Sequence, residues 1–171
     1  MNESTLSRTL VAGVGNPGRG DDAAGWEAIR RLRVRALPPG VELVEQSGEA
    51  ASLMEAWRGR ERVFLIDAAS SGTAPGTVHR MDAIASEIPS DFLHCSTHSF
   101  GLAESVELAR VLGELPPALV IYAIEGENFA IGAPLSPTVD AAIDRAVEKL
   151  LDEISPRRDC PNDPTEGTPH A

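Results

Sequence analysis

The chain has 171 residues, enough for one domain with a sizeable core and too few for two comfortable ones. A formal net charge of −11 argues against nucleic acid or an anionic membrane surface as the main partner, because a polyanion is repelled. Its two cysteines, Cys95 and Cys160, lie far apart, which fits a reducing cytoplasm better than a disulfide framework, and no apolar run approaches the ~20 residues of a membrane-spanning helix.

The first element is "TLVAGVG" (9–15), a β-branched apolar run closed by glycine that reads as a buried strand. "DAAGWEAIRRLRV" (22–34) then sets Trp26, Ile29 and Leu32 on one side, which predicts an amphipathic helix with Asp21 or Asp22 as its cap. "LPPG" (37–40) stops it. "VELVEQ" (41–46) is a second strand, and "EAASLMEAWRG" (49–59) a second helix with Leu53, Met54 and Trp57 at helical spacing. "RVFLIDAASSG" (62–72) is an uninterrupted apolar strand ending on Asp67, as expected where both faces of a sheet are covered.

A short strand near 77–81 and a loop come next. The helix of "GLAESVELARVLG" (101–113) presents Leu102, Val106, Ala109 and Leu112 on one face and has Gly113 as terminator. "ALVIYAIEG" (118–126) is another buried strand. The last helix opens with Ser136 as N-cap and Pro137 in its first turn, and repeats Val139, Ile143, Val147, Leu150 and Ile154 along one face. Composition predicts a flexible N-terminus over 1–8, a single α/β domain over 9–154, and a disordered tail over 155–171. The alternation of strand and helix predicts a three-layer sandwich, with a mostly parallel twisted sheet and helices on both faces. Ligands of such sheets bind beyond the carboxyl ends of the strands.

Asn16, Asp21 and Asp22 follow the first strand, Asp67 the third and Glu125 the late one, and the loop before the third helix adds His94 and His98. Two carboxylates and an imidazole in one crevice make an oxygen and nitrogen site for a divalent transition metal. Singly, each has a plainer role: either aspartate of the doublet serves as a helix cap, Asp67 as a cap or turn residue, and His98 as a surface histidine. Their shared position at strand ends is what favours a site. Within the glycine loop, Gly15 and Asn16 are the candidate cofactor-contacting residues. Gly13, Gly15 and Gly18 also spell G-x-G-x-x-G, so a dinucleotide site is the competing reading, although two carboxylates would crowd the pyrophosphate. Cys95 and His98 are too close in sequence for an ordinary Cys–His pair, and Trp26, Trp57 and Met54 read as core.

"GVGNPGRGDDAAG", "LIDAASSGTAPGTV", "THSFGLAESV" and "IEGENFAIGAPLSPTV" together resemble the hydrogenase maturation proteases, in order over roughly 9–154. These are the endopeptidases that trim the C-terminal extension of the large subunit of nickel–iron hydrogenases. The resemblance implies that Asp22, Asp67 and His98 bind metal and that the nickel is supplied by the large-subunit precursor, the partner. Carboxylates of ordinary acidity would then bind nickel without a large deprotonation cost. Gly18 stands where the family has leucine and Ala23 where it has glycine, and neither change removes a ligand. A Rossmann-like nucleotide-binding protein and a non-catalytic nickel-site chaperone are the alternatives.

Overall fold

The computed structural model describes residues 8–89, 92 and 101–155. The expected flexible N-terminus and C-terminal tail fall mainly outside these residues, and His94, Cys95, His98 and Cys160 lie wholly outside them. Five strands, β1 (Thr9–Val14), β2 (Val41–Gln46), β3 (Arg62–Ala69), β4 (Val78–Asp82) and β5 (Ala118–Glu125), form one sheet in the order β2-β1-β3-β5-β4. All neighbours are parallel except β4, which runs antiparallel to β5 along one edge. The helices are α1 (Ala24–Arg33), α2 (Ala50–Trp57), α3 (Leu102–Leu112) and α4 (Pro137–Ile154).

Side chains alternate across a strand, so each central strand feeds two cores. Val11, Phe64, Ile66, Ala68, Val120, Tyr122 and Ile124 pack under α1 and α4. Leu10, Ala12, Val14, Val63, Leu65, Ala69, Leu119, Ile121 and Ala123 pack under α2 and α3. This is the three-layer sandwich, and it explains why β1, β3 and β5 read as unbroken apolar runs. Gly25 lets α1 press on the sheet: a Cβ there would stand 2.2 Å from the carbonyl oxygen of Val14 and 2.4 Å from that of Ile66. Close helix-to-sheet contact at this point is what brings the loop after β1 over the end of β3.

Several local expectations are corrected. Neither aspartate of the doublet caps α1. A single 3-10 turn, Gly20–Ala23, intervenes, and Ala23 takes the N-cap position with no side-chain bond. β3 runs on through Ala68 and Ala69, so Asp67 lies inside the strand rather than at its end. Leu112 is 56% exposed; the buried face of α3 uses Leu102, Ala103, Val106 and Ala109, and Gly113 closes the helix in the left-handed conformation as expected. Ser136 precedes α4, but its hydroxyl is turned to Asp21 instead of its own helix.

Candidate functional site

From β1 the chain crosses one way to β2, while β3 and β5 lie on the other side, so the crevice between the carboxyl ends of β1 and β3 is the switch point of the sheet. The loop after β1 carries the aspartate doublet, and β3 carries Asp67. These are the elements that build the candidate site.

The doublet divides into two different roles. Asp21 is fully buried and saturated. Its Oδ2 accepts the amides of Glu127 and Asn128 and the hydroxyl of Ser136, each at 2.9 Å, and its Oδ1 accepts the Ser136 amide at 2.7 Å. It fastens the 127–136 segment to the turn after β1 and has no acceptor capacity to spare for a ligand. Asp22 is 2% exposed and belongs to the crevice. Gly15 lies directly beneath it. With φ of 136°, and with a Cβ that would stand 2.0 Å from the Asp22 carbonyl oxygen and 3.4 Å from its Oδ1, this position requires glycine.

Asp67 meets Asp22 from the other strand. Burial first, and then the charge of Asp22, push the Asp67 carboxyl well above the usual carboxylate range, while the amide of Ala68, bonded to Oδ1 at 2.8 Å, pulls the other way. For Asp67 this departs from the ordinary acidity expected of the pair. Two carboxyls in one dry place take up a proton or a cation readily. Among the described residues no three His, Cys, Asp or Glu side chains gather as a metal site, and the third expected ligand, His98, lies outside them. The chemistry of the two that are described suits a hard or borderline divalent cation.

Glu125 is also buried but serves the loop after β3. It accepts the amides of Ser71 and Gly72 at 2.7 and 2.9 Å and the Ser71 hydroxyl at 2.8 Å, with His79 Nε2 3.7 Å away. His79 in turn stands edge-on to Phe92, ring centroids 4.6 Å apart.

The glycine loop is closed to phosphate. Gly15 donates its amide to Gln46, Asn16 to Asp22, Arg19 to Asn16, Gly20 to Ala133, Asp21 to Asn128 and Asp22 to Arg19. Gly18 donates to the Asn16 side chain at 2.8 Å, and Pro17 has no N–H. A phosphate cradle needs free amides, and this turn has spent them on itself and on the 127–133 segment. Gly15 thus underlies Asp22, and the Asn16 side chain closes a local turn. The importance of Asp21, Ser136 and the 127–136 wall was not visible from residue types; the only signal was the late sequence block in the family resemblance.

A family model described as hydrogenase maturation protease matches residues 26–153. The hydrogenase 2 maturation protease of Escherichia coli is 33% identical over 147 residues, covering 84% of this chain and 88% of that protein. The solved structure of the hydrogenase maturating endopeptidase HybD from E. coli superposes with a TM-score of 0.72 at 30% identity, over 86% of this chain and 91% of that one. A NiFe hydrogenase maturation protease, HybD from Thermococcus kodakarensis, shares the fold with a TM-score of 0.67 at 24% identity, over 86% and 99% of the two chains.

Proposed function

This chain belongs to the hydrogenase maturation protease family, hydrolases that act on hydrogenase precursors, and on that premise we propose that it removes the C-terminal extension of a nickel–iron hydrogenase large subunit after nickel insertion. Asp22, Asp67 and His98 meet the nickel as part of the substrate, so that cutting reports a loaded precursor. The observation that carries this reading is the buried Asp22–Asp67 pair at the switch point, where burial and mutual repulsion leave a place for a cation brought from outside. Metal loading then positions the extension. With the extension so placed, a carboxylate of the pair acts as general base: it takes a proton from the water that attacks the scissile carbonyl and returns it to the departing amine. The cytoplasm is the setting we assign, on the two widely spaced cysteines. Among the described residues no helix is long and apolar enough to cross a membrane.

The test mixes the protein with nickel-loaded and nickel-free precursor and weighs the products. A C-terminal fragment from the loaded form alone, lost in Asp22→Ala and His98→Ala proteins that still fold, supports the proposal. Equal cutting of both forms overturns it, as does precursor capture with no peptide released, which would mark a nickel-site chaperone instead.

A further inference from the structure

Arg19 lies in the turn after β1, three residues before Asp22, and its guanidinium is poorly met by the described residues. Among the described residues its buried Nε and Nη1 have no hydrogen-bond partner, and its Nη2 reaches only the carbonyl of Phe129 at 3.5 Å, the outer limit of a hydrogen bond. Other described arginines are better served. Arg35 and Arg60 bond Glu148 and Glu42, while Arg62 and Arg145 donate at 2.8 Å to the carbonyls of Glu153 and Gly76. A guanidinium is permanently charged and carries five donors, so leaving them dry is costly.

Its backbone is fixed at the site. The Arg19 carbonyl accepts the amide of Asp22 at 3.1 Å, and its own amide donates to the Asn16 carbonyl at 3.2 Å. The residue as a whole is partly exposed, and engaging a ligand requires its head group to change rotamer. Any carboxylate approaching a chain of net charge −11, beside two aspartates, needs a local cation to settle there.

We propose that Arg19 is a specificity-determining residue that binds a carboxylate of the polypeptide whose scissile bond is delivered to Asp22 and Asp67. The proposal rests on the endopeptidase reading above. A carboxylate suits the planar fork better than a neutral carbonyl, because the charge-assisted, bidentate pair is roughly twice as strong. It comes from one of two sources, an acidic side chain of the extension or the extension's own terminal carboxylate.

The experiment measures KM and kcat for wild-type, Arg19→Met and Arg19→Lys proteins on nickel-loaded precursor. Three precursors are used: unmodified, with the acidic residues of the extension changed to amides, and with the terminal carboxylate amidated by peptide ligation. Arg19→Met is expected to raise KM on the order of tenfold with kcat held within about twofold, and Arg19→Lys to recover part of the loss. Neutralising the responsible carboxylate should raise the wild-type KM equally and add nothing to Arg19→Met; which precursor does so identifies the source. Unchanged KM in a folded Arg19→Met protein, a loss confined to kcat, or fully additive effects would overturn the inference while cleavage by the wild type keeps the endopeptidase reading standing. If the wild type cuts nothing, that reading fails, and precursor affinity by fluorescence anisotropy still decides the role of Arg19: equal binding by wild type and Arg19→Met overturns it.

Discussion

Asp21 accepts both the amide and the hydroxyl of Ser136, at 2.7 and 2.9 Å, and so joins the turn after β1 to the start of α4. With the amides of Glu127 and Asn128 on the same carboxylate, one buried side chain holds the wall of the crevice together. Asp21→Ala leaves these donors without an acceptor, at a cost on the order of 3–5 kcal/mol from several unmet buried groups. Urea unfolding measures it, and a loss below about 1 kcal/mol would show that the wall stands without Asp21.

Asp67 should behave in the opposite sense. Its carboxyl is raised in the fold by burial and by Asp22, so the folded protein favours the protonated acid. Stability is therefore fully present below the unfolded value of about 4 and is lost as pH rises through the folded one. Asp67→Asn keeps an oxygen for the Ala68 amide and has no charge to bury. The variant is expected to melt higher than the metal-free wild type near pH 8, with the difference vanishing below about pH 4. Thermal melts across that range check it; a variant that melts lower at pH 8 contradicts the raised carboxyl.

Gly15→Ala combines a strained φ of 136° with a Cβ 2.0 Å from the Asp22 carbonyl oxygen. Strain and overpacking together cost roughly 2–4 kcal/mol and displace Asp22. Cleavage of loaded precursor should fall in the variant at temperatures where it is still folded. Neither protein should bind a dinucleotide, since the amides of the turn are occupied; nucleotide binding by calorimetry that Gly15→Ala abolishes would revive the dinucleotide reading.

Glu153 gives a second pH dependence of contrary sign. The Arg80 guanidinium, helped by the Tyr122 hydroxyl at 2.6 Å, holds its carboxyl below the ordinary value. That contribution is present above about pH 4 and is lost as pH falls through the lowered folded value. Glu153→Gln is expected to cost about 1–2 kcal/mol at pH 7 and progressively less under acid conditions. Equal destabilisation at pH 7 and pH 3 would mean that packing of α4 on β5, rather than charge, is what the residue supplies.

The amino-acid order by itself determined the layers. β1, β3 and β5 are legible as unbroken apolar runs because strands covered on both faces have no polar side to show, and α4 is legible because its apolar stripe recurs with the helical period. The candidate acids were legible too, since a carboxylate beside a buried strand stands out from its neighbours. The direction of β4 was not, because edge pairing depends on where the following crossover leaves the chain. Nor could residue types tell Asp21 from Asp22: both are the same acid in the same turn. Tertiary structure decided between them, because the 3-10 turn points one into the 127–136 segment and the other over Gly15 toward the crevice with Asp67. The raised Asp67 carboxyl and the unmet donors of Arg19 have the same origin. Solvent exclusion and opposing charge belong to places in space, and segments distant in the chain create those places only when they pack.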